Sequence, residues 1–64
     1  MITLRLIQGV WHATTTGPQA PLIRDLFGTT TLPTPFTASA HPANVLATIR
    51  RLNPGEDVRM ETPR

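Results

Sequence analysis

Apolar residues take every second position from Ile2 to Leu6, and after Gln8-Gly9 the alternation resumes through Val10, Trp11 and Ala13. Folding the chain over Gln8 and Gly9 as a two-residue loop makes this stretch a β-hairpin. Ile7 then opposes Val10, Leu6 opposes Trp11, Leu4 opposes Ala13 and Ile2 opposes Thr15. Opposed residues share a face and successive residues alternate faces. One face therefore carries Ile2, Leu4, Leu6, Trp11 and Ala13, and points the only tryptophan at a core. The other carries Thr3, Arg5, Ile7, Val10, His12 and Thr14.

Beyond Thr14-Thr15-Thr16-Gly17-Pro18 the period changes. Leu22, Ile23, Leu26 and Phe27 lie at i, i+1, i+4 and i+5, one stripe of a short helix with Arg24 and Asp25 outward. Pro18 and Pro21 flank its start, where missing backbone donors are tolerated, and Gly28 is placed to end it in a left-handed conformation. Two to three turns are too few to stand alone, so this helix is expected to dock on the sheet. Thr29 to Thr37 favours extended backbone, but Pro33 and Pro35 remove two ladder donors. The expectation is an edge segment, one short strand followed by a polyproline-like arm, anchored by Leu32 and Phe36.

The clearest helix runs from about Ala43 to Leu52, with Val45, Leu46, Ile49 and Leu52 at i, i+1, i+4 and i+7. Either Ser39 caps it with Pro42 inside the first turn, or His41 caps it with Pro42 as the first helical residue. Asn53-Pro54-Gly55 stops it. Glu56 to Thr62 alternates again, with Val58 and Met60 inward and Asp57, Arg59 and Glu61 outward, as a final strand. The order is β-β-α-(β)-α-β: an N-terminal β-hairpin, a short helix, an extended edge segment, a second helix and a C-terminal strand. The fold class is α+β, with the helices on one face of a small sheet. Residues 1–62 make a single domain, and 63–64 are expected to fray.

Composition bounds the rest. A chain of 64 residues buries only about 60% of its unfolded surface, so small domains need a disulfide, a metal or self-association. The chain has no cysteine, which excludes disulfides and thiolate zinc sites. His12 and His41 with four scattered carboxylates make no metal pattern, and no cofactor is expected. Self-association or a larger protein partner remains. No run is long enough to span a membrane, and the N-terminus lacks a signal-peptide layout, so the expected location is cytoplasmic. The net charge of +2 comes from six arginines and no lysine, without the dense basic stripe of a nucleic-acid binder.

Ser39, the single serine, lies two residues before His41, but nothing presents it on the sharp turn that a hydrolase requires. There is no glycine-rich phosphate loop and no carboxylate pair, so an enzyme is not expected. Arg5 and His12 face each other on the outward side of the hairpin, and Arg59 joins them if the last strand lies beside the first. Ile7 and Val10 share that face, which gives it the mixture found at protein interfaces. The plainer reading is a solvated face on which Asp57 and Glu61 balance Arg59. Arg50-Arg51, in the last turn of the second helix, suits the negative end of the helix dipole. The Pro33 to Phe36 arm has two readings, a partner-binding arm or a connector that blocks edge aggregation.

Two strands, an extended segment, a helix and a strand, with the aromatic-x-Ala step Trp11-His12-Ala13, resemble the small α+β fold of HicB-type antitoxins. That resemblance implies topology for part of the chain and carries over no functional residue, because the acidic Gly-Cys loop of that family is missing. By size alone the chain also resembles phage-encoded modulators. The expected function is a small non-enzymatic interaction module, of phage or mobile-element origin, that binds a larger protein or itself through Arg5, Ile7, Val10, His12 and Arg59. The alternative is a nucleic-acid-associated regulatory protein that contacts phosphates through Arg5, Arg50, Arg51 and Arg59.

Overall fold

The computed structural model describes residues 1–61. The expected fraying of the last residues lies outside them. Four strands and two helices follow in the order β1 (Ile2–Ile7), β2 (Val10–Thr15), α1 (Ala20–Phe27), β3 (Thr31–Thr37), α2 (Pro42–Leu52) and β4 (Val58–Met60). The sheet runs β3-β2-β1-β4, with β1 antiparallel to β2 and parallel to β4. The fold is α+β, as the sequence indicates.

The hairpin forms in the expected register, from Ile2↔Thr15 through Ile7↔Val10. Gln8 and Gly9 both take positive φ, 50° and 78°, the twist a tight antiparallel turn needs. β4 extends the sheet beside β1, with Ile2↔Val58 and Leu4↔Met60 in register. Its inward side chains, Val58 and Met60, join Ile2, Leu4 and Trp11 under α2, which contributes Val45 and Ile49. Leu6, Ala13, Phe36, Ala40 and Leu46 pack around this core half-buried. The opposite sheet face carries no helix residue of this core.

β3 departs from expectation. It pairs with β2 at both ends, over Thr31 to Pro33 and again at Thr37, instead of trailing into a polyproline arm. The Thr15 N–H donates to the Thr30 carbonyl at 2.9 Å. By the antiparallel alternation, Thr31 and Pro33 then turn their backbone nitrogens away from β2. Pro33 therefore removes no ladder donor; it blocks the open edge of the sheet. Further along, Thr34, Pro35 and Phe36 bulge against Trp11 between the pairs His12↔Pro33 and Val10↔Thr37. The Thr34 hydroxyl donates to the Trp11 carbonyl at 2.7 Å and accepts the Phe36 N–H at 3.2 Å. A side chain thus supplies the donor that a proline-interrupted strand cannot.

One open choice is decided and two further expectations need correction. His41, not Ser39, caps α2: its Nδ1 accepts the Ala43 N–H at 3.2 Å, and Pro42 opens the helix. Ser39 instead shares a hydroxyl contact with Thr37 at 2.7 Å. Leu52 does not pack on the sheet. It lies almost a turn beyond Ile49, the last buried position of α2, and is 68% exposed. Finally, α1 forms where expected and ends on Gly28 at φ 77°, yet none of its residues is buried. Its stripe was expected to dock, but Leu22, Leu26 and Phe27 all face solvent and only Ala20 and Ile23 are half-buried.

Candidate functional site

The register gathers the five residues of the predicted patch on one open sheet face. Pro33, His12 and Arg5 form one row across β3, β2 and β1. Thr37, Val10 and Ile7 form a second row at the hairpin tip, and Thr31, Thr14, Thr3 and Arg59 a third. β1 and β4 are neighbours, which brings Arg59 to the face as required.

The charges on this face are satisfied within it. The Arg5 Nε donates to the Glu61 carboxylate at 2.9 Å, and the Arg59 guanidinium lies 3.0 Å from the Asp57 carboxylate. All four side chains are at least half exposed, so these pairs add little stability. Their effect is to cancel the positive field that two arginines would otherwise project. His12 Nδ1 lies 2.9 Å from the Val10 carbonyl. A carbonyl only accepts, so Nδ1 holds the proton and Nε2 is the nitrogen left for another partner. Ile7 and Val10 are half-buried beside it.

The arginines of the alternative reading do not converge. Arg5 and Arg59 lie on the open face, whereas Arg50 and Arg51 sit on α2, in the layer that covers the other face. Arg50 is also engaged, donating from Nε and Nη2 to the Val58 carbonyl at 3.3 and 3.2 Å. That contact ties the end of α2 to β4. Among the described residues no group of three histidine, cysteine or acidic side chains is arranged to hold a metal ion. No helix among them is long and apolar enough to cross a membrane.

A second surface emerges that sequence reasoning assigned to the core. Leu22 is 53% exposed, Leu26 66% and Phe27 58%. These three side chains leave on the order of 350 Å² of apolar surface in water, comparable to the largest patch of an ordinary monomer. The periodic signal that finds the stripe is plain in the sequence; what it cannot report is which surface covers the stripe. Arg24 and Asp25 lie on the far side of the helix and join none of the ion pairs among the described residues.

Comparison with protein families, with curated proteins and with solved structures finds no match. The resemblance to HicB-type antitoxins therefore has no family match behind it.

Proposed function

We propose that this chain is a small non-enzymatic interaction module whose principal contact surface is the apolar stripe of α1. The observation that carries this reading is an amphipathic helix of eight residues with nothing buried. Such a helix is too short to be stable by propensity, and its usual stabiliser is the burial of an apolar face. Here the chain covers only Ala20 and Ile23 in part, and the burial of Leu22, Leu26 and Phe27 has to come from outside it. The stripe holds no charged residue, which matches the composition of interface centres.

The outward hairpin face, with Arg5, Ile7, Val10, His12 and Arg59, is a second contact surface for a larger protein. Ile7 and Val10 beside His12 favour it, and the internal pairing of its arginines suits a protein partner better than a phosphate backbone. The nucleic-acid reading through Arg5, Arg50, Arg51 and Arg59 has less support, because those side chains point from two layers and three of them are already engaged.

Site-specific photo-crosslinking tests the proposal. A photoreactive residue in place of Leu26 is expected to yield protein adducts in cells. The same residue in place of Arg51, on the exposed side of α2, yields few. Equal adducts from both positions, or none from position 26, would contradict it.

A further inference from the structure

We infer that His41 is an acid-sensitive latch on α2: it closes the helix while its imidazole is neutral and releases the first turn on taking up a proton.

The geometry of that turn carries the inference. Pro42 has no N–H to place, and the next three donors all end on His41. The Asn44 and Val45 N–H groups donate to the His41 carbonyl at 2.9 and 3.2 Å, and the Ala43 N–H donates to the ring Nδ1 at 3.2 Å. A backbone N–H only donates, so Nδ1 is bare and the ring is neutral. An imidazolium has no acceptor nitrogen. Protonation therefore breaks the ring contact and sets a positive charge at the positive end of the helix dipole. The nearest hydroxyl in sequence, on Ser39, is engaged with Thr37 at 2.7 Å. The turn that loosens ends on Val45, which is fully buried, so the latch bears on the core.

The two histidines differ in this respect. His12 Nδ1 donates to the Val10 carbonyl, a contact that an imidazolium keeps. Acid breaks the contact of one histidine and leaves that of the other in place.

Among the described residues no other charge faces His41. It lies at the hairpin-tip end of the sheet, where the Ala38 N–H donates to the Gly9 carbonyl and the Ala40 N–H to the Thr37 carbonyl. Neither β3 nor the tip from Leu6 to Trp11 carries a titratable group. On α2 itself Arg50 and Arg51 stand in the last turn, about 13 Å along the axis. Arg5, His12 and Arg59 are on the sheet face away from α2, with Glu61 and Asp57 paired to the two arginines. The Met1 amino group pairs with Glu56 at the other end of the sheet, from which α1 also leaves with Arg24 and Asp25. The unfolded chain takes up the His41 proton freely, whereas the capped helix gives up a hydrogen bond to do so. Stability is therefore full above the range in which histidine titrates and falls as the pH drops through it.

Urea unfolding of the full chain, followed by Trp11 fluorescence between about pH 8 and pH 5, tests this, since histidine takes up its proton in that span and carboxylates largely keep their charge. His41→Asn caps without titrating and His41→Ala cannot cap. The folding equilibrium constant of the wild type is expected to fall about fivefold further across the span than that of His41→Asn. His41→Ala is expected to be about fivefold weaker than wild type at the alkaline end and to respond to acid no more than His41→Asn. Every other titrating group is common to the three chains and cancels from the comparison. Equal falls for wild type and His41→Asn would overturn the inference, as would a ring nitrogen NMR spectrum in which His41 Nδ1 carries a proton at the alkaline end. Should His41→Ala be too unstable to measure, wild type against His41→Asn decides.

Discussion

Thr34→Val removes one oxygen from the bulge of β3 and tests whether that hydroxyl holds the strand to the sheet. Valine matches threonine in shape and favours extended backbone at least as well, so packing and propensity stay nearly constant. Two contacts are lost together: the donation to the Trp11 carbonyl at 2.7 Å and the acceptance from the Phe36 N–H at 3.2 Å. Both lie in a partly buried place. Leaving a buried polar group unsatisfied costs about 1–3 kcal/mol, and partial access of water keeps each near the low end. The expected loss is about 2 kcal/mol. That is a large share of the roughly 3–10 kcal/mol that holds together a domain of this size. Thr14→Val is the control. It removes a hydroxyl contact with Thr31 at 2.9 Å that is also part-buried but involves no backbone group, so it leaves no main-chain donor or acceptor unsatisfied and should cost less, no more than about 1 kcal/mol. Urea unfolding followed by Trp11 fluorescence reads both variants. If Thr34→Val unfolds at the same midpoint as Thr14→Val, the hydroxyl does not replace the missing ladder donors and the account of β3 fails.

Trp11 is 3% exposed and its indole Nε1 finds no partner among the described residues. Trp11→Phe removes that unsatisfied donor, which offsets the lost packing, and should stay within about 1 kcal/mol of wild type. Trp11→Ala should lose about 3–5 kcal/mol; thermal melts by circular dichroism in which the two variants fall equally far would contradict the assignment. Ile49→Asp buries an unpaired carboxylate under the sheet and should abolish cooperative unfolding, whereas Leu52→Gln, three positions on and exposed, should melt within about 0.5 kcal/mol of wild type. The reverse order would mean that α2 is rotated from the position described. Arg5→Glu with His12→Ala should leave the melt unchanged but weaken capture of a larger protein partner; unchanged capture would return this face to ordinary solvated surface.

The elements whose cause is local are legible in the sequence. Gln8-Gly9 and the flanking alternation determine the hairpin register, because a slip of one residue would turn Leu4 and Trp11 outward. The alternation of Val58 and Met60 does the same for β4. Less legible is whatever depends on the identity of a neighbour. Pro33 argues against a paired strand until it is known that its nitrogen faces the open edge. Ser39 and His41 compete for the cap on equal terms, and Pro42 at the first helical position decides between them. Asp57 and Glu61 are legible as balancing charges. Their division between Arg59 and Arg5 follows from β4 lying parallel to β1, with Glu61 next along from Met60. The stripe of α1 is visible as a pattern, but a period specifies only that a helix has an apolar face. Nothing in it states whether that face is covered within the chain, and this is why a stripe expected to dock is found largely exposed.

Amide hydrogen exchange of the purified chain tests the central claim most directly. If α1 relies on an outside surface for its stability, the amides from Arg24 to Gly28 should exchange with little protection, at least about tenfold faster than the amides of β1 and β2. Amides of α1 protected as strongly as those of the hairpin would contradict the account, because the helix would then be held by its own chain.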